Sequence, residues 1–332
     1  MVMALMLCYN IAFIHPEFTS KTRNQPARDA QAPSMTASTG KTGIGAVVAL
    51  MVVLAASADA RAADDKIALF AAENFYGDVA RQIGGDRVTV TSVLSNPDQD
   101  PHLFEVSSAV IRALAAARIV IYNGAGYDPW MEKLLKAAPR PGRAVIVVAE
   151  LMRRKAGDNP HLWYDPGTMP AVAKALAAAL GAADPLGSAD YAARLETFLA
   201  SLSPLNERIA AIRRRFAGVS VTASEPVFGE MAAALNLKMR NERLQLAIMN
   251  DTEPSARDIA AFERDLASHK VRVMFYNKQA SNKMVQHLVE LAHASHIPVV
   301  GVTETAPPGQ SYQEWMSSEL DETEQALAKP SS

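Results

Sequence analysis

The sequence contains almost no cysteine, and this scarcity excludes several kinds of site. Its one cysteine, Cys8, lies upstream of a segment that we interpret as a secretion signal. We therefore expect the processed protein to have no disulfide, no thiolate-bound metal and no cysteine available for lipid attachment. Export without disulfides is compatible with a bacterial periplasm.

The sequence also has little net charge and few aromatic residues. The 332 residues carry a formal net charge of −2, and 6% of them are aromatic. A near-neutral chain gives no reason to expect nucleic acid or an acidic membrane surface as a partner. The low aromatic content argues against a sugar- or peptide-binding cleft. With 49% hydrophobic and 20% charged residues, the composition predicts a soluble globular protein large enough for two domains.

One long apolar run, "GIGAVVALMVVLAASA" at 43–58, stands near the N-terminus. It is short for a membrane-spanning helix, and the "ARA" at 60–62 has the small-x-small pattern of signal-peptide cleavage. We expect translation to start at Met35 and cleavage to follow Ala62, which makes residues 1–62 a signal region. The alternative is a membrane anchor.

Beyond this region, short apolar strands alternate with helical patterns. "KIALFAA" at 66–72 predicts a strand, "NFYGDVARQIGG" at 74–85 a helix closed by Gly-Gly, and "RVTVTSVL" at 87–94 a further strand. A second series begins near residue 218. Such alternation implies mostly parallel sheets with helices on both faces. The predicted fold class is α/β, with two Rossmann-like lobes.

The segment between the two series carries an apolar stripe on one helical face. Its apolar residues are spaced 3, 4, 3, 4 from Leu195 to Phe216, which predicts a helix from about Ala189 onward. That helix would be ~40 Å long at ~1.5 Å per residue. Pro204 falls inside it, so we expect a kink there; two shorter helices broken at Pro204 are the alternative. A long rigid helix would act as a strut between the lobes.

These patterns divide the chain after the signal region into three expected parts. They are an N-terminal lobe at 63–185, a linking helix at 186–217 and a C-terminal lobe at 218–332. In open parallel sheets, ligands bind beyond the carboxyl ends of the strands. Residues that directly follow strands are therefore the candidates for a site.

Two similar loops each carry a histidine after a strand. "DPHLFEVS" at 100–107 and "NPHLWYDP" at 159–166 share the order Pro-His-Leu-aromatic. They place His102 after the strand that ends at Leu94, and His161 after a strand predicted over "AVIVVAE". The preceding prolines restrict both loops, as expected for histidines that are presented as ligands.

The second lobe offers carboxylates at the corresponding places. Glu225 ends "SVTASE" and Glu304 ends "PVVGVTE". If the strand ends of the two lobes face one another, both glutamates lie close to His102 and His161. Two neutral imidazoles and two carboxylates suit Zn²⁺, Mn²⁺ or Fe²⁺, and the carboxylates offset the charge of the ion. The alternative is that both glutamates cap the helices that follow them.

Several segments together resemble one protein family. They are "QIGGDRVTV", "DPHLFE", "IYNGAGYDPWMEKLL", "NPHLWYDP" and "TASEPVFGEMAAALNLK". In this order, over about residues 65–328, they resemble the zinc- and manganese-type solute-binding proteins of bacterial ABC importers. The resemblance implies two α/β lobes joined by one rigid helix, with a single metal ion between them. It maps the ligands to His102, His161, Glu225 and Glu304.

The chain departs from this family's pattern in two ways. Family members usually have Asp at the fourth ligand position, where this chain has Glu304. Many zinc-type members have an acidic, histidine-rich loop before the second histidine, whereas residues 150–159 are basic and lack histidine. Glu225 stands where many zinc-type members have His, as in manganese-type members. These differences favour Mn²⁺ over Zn²⁺ and leave both open.

The function implied is capture of a divalent metal ion in the periplasm. The protein would deliver Mn²⁺ or Zn²⁺ to the permease and ATPase subunits of an ABC importer, and Fe²⁺ is a further candidate. We expect it to be a monomer and not an enzyme. The alternative is a secreted metallohydrolase that uses the same site. A catalytic zinc keeps an open coordination position, so four protein ligands and the lack of an HExxH-type motif argue against a hydrolase.

Overall fold

Two four-stranded sheets form the framework. The structure, a computed structural model, describes residues 66–97, 104–280 and 283–330. The strands are β1 (Ile67–Glu73), β2 (Val88–Leu94), β3 (Ile119–Tyr122) and β4 (Ala144–Val147) in the first sheet, and β5 (Ser220–Ala223), β6 (Lys238–Arg240), β7 (Met274–Asn277) and β8 (Val299–Val302) in the second. Their orders are β2-β1-β3-β4 and β6-β5-β7-β8, and all neighbouring strands are parallel. The predicted α/β fold with two parallel-sheet lobes is confirmed.

Helices cross over between the parallel strands, as such sheets require. The first lobe contains α1 (Asn74–Gly84), α2 (Ser108–Ala116), α3 (Pro129–Ala137), α4 (Val148–Leu151) and α5 (Thr168–Ala183). The second contains α8 (Gly229–Ala234), α9 (Glu242–Met249), α10 (Ala256–Ala267), α11 (Lys283–Ala294) and α12 (Tyr312–Ala328). All four residues of β3 are buried, because helices cover both faces of the sheet.

A long helical segment connects the two lobes. It consists of α6 (Ser188–Ser201) and α7 (Ser203–Phe216), with Leu202 between them at φ −82° and ψ −10°. Pro204 has no N–H to donate to the carbonyl of Ala200, four residues before it. Two residues earlier, Leu202 N donates to Leu199 O at 3.3 Å, the three-residue spacing of a 3₁₀ turn. The backbone keeps its right-handed helical conformation through this tightened turn. The long helix is therefore present, with a local interruption two residues before the proline.

The predicted apolar stripe of this segment faces the core. Its buried members are Phe198, Leu202, Leu205, Ile209 and Ile212. They belong to one hydrophobic core that includes residues of both sheets. The linking segment is therefore packed against the rest of the molecule along its length.

Aromatic side chains fill the core where the two lobes meet. Trp163 and Tyr164 lie in a short 3₁₀ turn and are fully buried. The ring centroid of Trp163 lies 4.7 Å from that of Phe75 in the first lobe. That of Tyr164 lies 5.3 Å from Phe228 and 5.7 Å from Trp315, both in the second lobe. Burial of such rings dominates core energetics, so this cluster holds the lobes together.

Hydrogen bonds across the same boundary fix the relative position of the lobes. Tyr164 Oη donates to Thr303 O at 2.9 Å, and Tyr312 Oη donates to Trp163 O at 2.9 Å. The Asn74 side-chain amide exchanges two bonds with the backbone of Ala306, at 2.8 and 3.0 Å. These buried and half-buried bonds favour a single arrangement of the two lobes.

The predicted signal region, with its start at Met35 and cleavage after Ala62, lies outside the described residues. Within the described ranges, the structure has no helix that is both long and apolar enough to cross a membrane. The expected division at 185/186 and 217/218 stays a prediction.

Replacing Trp315 with Ala should destabilise the protein by about 3–5 kcal/mol, the usual cost of deleting a large buried aromatic side chain. Because both lobes contact this ring, the loss should appear as one shifted transition in urea-induced unfolding. Leu186→Ala is the control, since Leu186 is 92% exposed, and it should change stability by less than about 0.5 kcal/mol. Two separate transitions in the Trp315 variant would contradict a shared core.

Candidate metal site

Three of the four predicted ligands lie in the described chain, and pairwise contacts connect them. His161, Glu225 and Glu304 are all buried. His161 Nε2 lies 3.5 Å from Glu304 Oε2, and the side-chain amide of Asn277 joins Glu304 to Glu225. His102 lies in 98–103, outside the described residues. Within the described ranges no closed cluster of three or more metal-binding side chains is formed, so the three ligands are associated in pairs.

The order of strands in the second sheet explains how the two glutamates meet. Glu225 follows β5 and Glu304 follows β8, while Asn277 is the last residue of β7, which lies between those strands. Asn277 Nδ2 donates to Glu225 Oε2 at 3.1 Å and to Glu304 Oε1 at 2.5 Å. One neutral amide thus supports two carboxylates at the carboxyl edge of the sheet, where ligands bind in open α/β folds.

The alternative role of the glutamates as helix caps is not supported. Glu225 precedes a 3₁₀ turn, but its side chain makes no capping hydrogen bond. The helix after Glu304 is α12, and its cap is Ser311, in a capping box with Glu314. The two carboxylates instead face the interior of the site.

Gln279 holds the backbone around Glu304. Its Oε1 accepts from Glu304 N at 2.6 Å and from Thr305 N at 3.2 Å, and its Nε2 donates to Thr305 Oγ1 at 3.1 Å. Its own backbone N donates to Asn277 Oδ1 at 3.0 Å. Asn277 and Gln279 were not predicted from the sequence. Asn277 ends β7 and Gln279 follows it, so a search for polar residues at strand ends could have found both.

The tautomer of His161 follows from its neighbour Asn159. Asn159 Nδ2 donates to the carbonyl of Pro226 at 2.9 Å, which turns Asn159 Oδ1 toward His161 Nδ1 at 2.7 Å. Because an amide oxygen only accepts, Nδ1 carries the hydrogen, and Nε2 of the neutral ring keeps its lone pair. Nε2 is buried and makes no hydrogen bond within the described chain. A buried nitrogen lone pair facing a carboxylate fits a cation between them.

The strand before the His161 loop is shorter than predicted. β4 ends at Val147, and the residues expected to continue it form α4. Ala149 N donates to Asn123 O, while Met152 N donates to Val148 O in a helical turn. The prediction was wrong here because a buried apolar run does not distinguish a strand from one turn of helix.

A pair of buried carboxyl groups supports the His161 loop from behind. Asp128 accepts from Asn123 N at 2.7 Å, and Asn123 Nδ2 donates to the carbonyl of Pro160 at 2.8 Å. Burial raises the pKa of Asp128 to about 6. Burial, and then the charge of Asp128, raise the pKa of Glu73 well above its usual range. Burial therefore favours the protonated form of both carboxyl groups.

An ion pair joins the lobes near the mouth of the site. Arg154 Nη2 lies 3.0 Å from Glu230 Oε2 and 3.9 Å from Asp165 Oδ2. Burial raises the pKa of Glu230, and the charge of Arg154 opposes this shift. The ring centroid of Tyr127 lies 6.1 Å from that of His161, and burial followed by the charge of Glu304 raises the pKa of Tyr127 well above its usual range.

Comparison with known proteins agrees with this architecture. The family model described as zinc-uptake complex component A, periplasmic (ZnuA), matches residues 69–326. The chain belongs to this family. His161, Glu225 and Glu304 all lie within the matched region.

Individual relatives of the family differ in the metal they are named for. An iron ABC transporter substrate-binding lipoprotein, MtsA of Streptococcus pyogenes, is 22% identical over 85% of this chain and 96% of its own. A manganese ABC transporter substrate-binding lipoprotein, PsaA of Streptococcus mitis, has the same identity and coverage. The solved periplasmic zinc-binding protein TroA of Treponema pallidum superposes with a TM-score of 0.69 at 19% identity, covering 80% of this chain and all of its own. These relatives are named as binding components, and none of them supports the hydrolase alternative.

A buried carboxyl group beside the site gives a prediction about pH. Glu319 on α12 is buried and accepts a hydrogen bond from Trp315 Nε1 at 3.2 Å. Burial raises its pKa to about 8, with the charge of Lys278 opposing the shift. A carboxyl group whose pKa is higher in the folded protein stabilises the fold when it is protonated. This contribution is complete below the pKa of the group in the unfolded chain, and it is lost as pH rises through its pKa in the folded protein.

We therefore expect the free energy of unfolding to fall from about pH 4.5, the ordinary value of this carboxyl, to about pH 8, its value in the folded protein. Glu319→Gln should make this fall shallower, because a neutral amide replaces the protonated acid. Urea unfolding at several pH values measures the effect, with Glu290→Gln on the exposed face of α11 as the control. Equal pH dependence in the wild type and the Glu319 variant would show that this carboxyl does not titrate as described.

Proposed function

We propose that this protein captures one divalent transition metal ion between its lobes and delivers it to the permease and ATPase subunits of an ABC importer. The ligands are His102, His161, Glu225 and Glu304. The observation that carries the proposal is the pairing of His161 with Glu304. The lone pair on a buried imidazole nitrogen faces a buried carboxylate oxygen at 3.5 Å, and a cation could bind to both groups at once.

The candidate ions are Mn²⁺, Zn²⁺ and Fe²⁺. Imidazole and carboxylate ligands suit all three, and relatives are named for manganese, zinc and iron. Two carboxylates balance the charge of any of these ions, so a loaded site would be near neutral. The set contains no thiolate, which makes Cu(I) and iron–sulfur clusters unsuitable.

Transport rather than catalysis accounts best for four protein ligands, since a catalytic metal keeps a position for water or substrate. We propose that the chain is processed after Ala62, acts in the periplasm and is a monomer built from 63–185, 186–217 and 218–332. Relatives named as periplasmic proteins or lipoproteins support an extracytoplasmic location.

His161→Ala should weaken metal binding by about a hundredfold or more. Structural zinc sites in small domains gain ~10–16 kcal/mol in all, so one of about four ligands contributes a few kcal/mol, and each ~1.4 kcal/mol is tenfold in affinity. The measurement is calorimetric titration of metal-free protein with Zn²⁺ and, separately, Mn²⁺. His287→Ala is the matched control, because His287 is an exposed histidine on α11. Unchanged affinity in His161→Ala, or an equal loss in both variants, would rule out the site.

Metal should stabilise the protein without a large change of shape. A ligand that binds only the folded state adds ~2.7 kcal/mol at a hundredfold excess over Kd, so the melting temperature should rise. The hydrogen bonds of Tyr164 and Asn74 cross the lobe boundary and involve none of the proposed ligands, so small-angle scattering should give nearly the same radius of gyration with and without metal. Strong compaction on adding metal would contradict a fixed lobe arrangement, and an unchanged melting temperature would contradict the site.

A further inference from the structure

One side chain of the first lobe reaches across the lobe boundary beside the site. Asn159 lies two residues before His161, and its Nδ2 donates to the carbonyl of Pro226 at 2.9 Å. Its Oδ1 lies 2.7 Å from His161 Nδ1 and accepts from His161 N at 3.2 Å. Pro226 directly follows Glu225. One amide therefore connects two loops, one from each lobe, that each carry a proposed ligand.

The orientation of this amide is fixed by its partners. A flipped amide would turn its oxygen toward the Pro226 carbonyl, which only accepts, and its NH₂ group toward the backbone N–H of His161, which only donates. All three contacts would be lost. Because the oxygen and the nitrogen of Asn159 bond to different lobes, the side chain cannot turn away without breaking contacts on both sides of the boundary.

Gly229 makes room for this amide in the second lobe. It begins α8 with ordinary helical angles, φ −59° and ψ −45°, so its backbone does not require glycine. A Cβ atom at this position would lie 2.8 Å from Asn159 Nδ2, well inside the normal contact distance of such atoms. The missing side chain of Gly229 is therefore what lets Asn159 reach the Pro226 carbonyl.

A second contact joins the same segments, and it is an ion pair. Arg154 Nη2 lies 3.0 Å from Glu230 Oε2, and 34% of the Arg154 side chain is exposed. Partly exposed ion pairs contribute little and weaken as salt is added, whereas a bond between two neutral amide groups is not screened in this way. The Asn159 contact is therefore the firmer of the two connections.

A groove beside Gly229 offers the amide a place to move to. It has a volume of about 420 Å³, and Asn159, Pro226 and Gly229 all line it, together with apolar side chains of the second lobe that include Leu237 and Leu246. Movement of the Asn159 amide from Gly229 into this space would release the Pro226 carbonyl and the His161 ring together.

We propose that Asn159 controls release of the metal ion, by holding the His161 loop against the Glu225 loop while its amide lies at Gly229 and by freeing both loops when it withdraws. The inference rests on the proposed function, because it concerns the release of the captured ion. Asn159 is a positioning residue, since it acts through the ring of His161 and the backbone of Pro226. Loss of its contacts should mainly speed release of the ion, because the contacts keep the two loops together.

The test measures how fast the full chain releases Zn²⁺ to an excess of a chromogenic chelator. Asn159→Ala should speed release by about 10–100-fold, the usual effect of losing a group that orients a metal ligand. Gly229→Ala should also speed release, because the added methyl group takes the space of Asn159 Nδ2. Arg154→Gln is the matched control at the other contact between these segments, and it should release Zn²⁺ no faster than the wild type.

The double variant distinguishes positioning from a merely structural role. With Asn159→Ala already present, the methyl group at position 229 has no amide to displace, so Gly229→Ala should change the release rate no further. If Gly229 mattered only to the structure of α8, its substitution would have the same effect in both backgrounds. Asn159→Ser, whose shorter side chain has no amide, takes the place of Asn159→Ala if that variant does not fold.

Metal-free protein gives a readout that does not depend on zinc. The ¹⁵N chemical shifts of an imidazole ring show which nitrogen carries the hydrogen. We expect His161 in the wild type to be in the Nδ1–H form, because Asn159 Oδ1 accepts from that nitrogen. In Asn159→Ala the acceptor is gone, and both tautomers should be populated.

The outcomes separate this inference from the proposed function. Wild-type protein that binds neither Zn²⁺ nor Mn²⁺ would refute the proposed function and the inference that rests on it. If the wild type binds metal but Asn159→Ala releases Zn²⁺ at the wild-type rate, only the role of Asn159 is overturned. An equal effect of Gly229→Ala in both backgrounds, release from Arg154→Gln as fast as from Asn159→Ala, or an unchanged His161 tautomer in Asn159→Ala would overturn it as well.

Discussion

The arrangement of the site depends on the packing of one short turn across the boundary between the lobes. Trp163 and Tyr164 insert between aromatic rings of both lobes, and the Tyr164 hydroxyl is bonded to the carbonyl of Thr303. His161 immediately precedes this turn and Glu304 immediately follows Thr303. The spacing of one candidate ligand from each lobe is therefore set by the core itself, and close-packed cores resist small displacements.

Around that fixed spacing, neutral amides do most of the positioning. Asn159 orients the ring of His161 and reaches the carbonyl next to Glu225, Asn277 bridges the two carboxylates, and Gln279 holds the backbone of Glu304. Charged partners would cancel the carboxylates and remove their attraction for a cation. Amides hold them in place and leave their charge available, which is what a site for reversible capture needs.

The strand-end rule predicted from the sequence which edge of each sheet carries the site, because alternating strands and helices imply parallel sheets. It placed Glu225 and Glu304 after β5 and β8, where they are found. It could not show that β7 lies between those strands, so the meeting of both glutamates at Asn277 stayed hidden. The helix-like end of β4 was missed because burial leaves the same apolar pattern in both structures. The interruption near Pro204 was expected because proline has no N–H to donate, but the sequence does not show that the turn tightens at Leu202, where the backbone N bonds to Leu199 O.

The shared aromatic core also affects the order in which the protein can fold. Trp163 and Tyr164 are synthesised well before the partners that cover them, since Tyr312 lies 149 residues further along the chain and Thr303 lies 139 residues beyond Tyr164. Until α12 has been synthesised, the first lobe has its sheet, but the second-lobe residues that cover Trp163 and Tyr164 are missing. Contacts of such long sequence separation slow folding and prolong exposure of apolar surface. Packing of α12 against Trp163 and Tyr164 is therefore the step that completes the core of the first lobe.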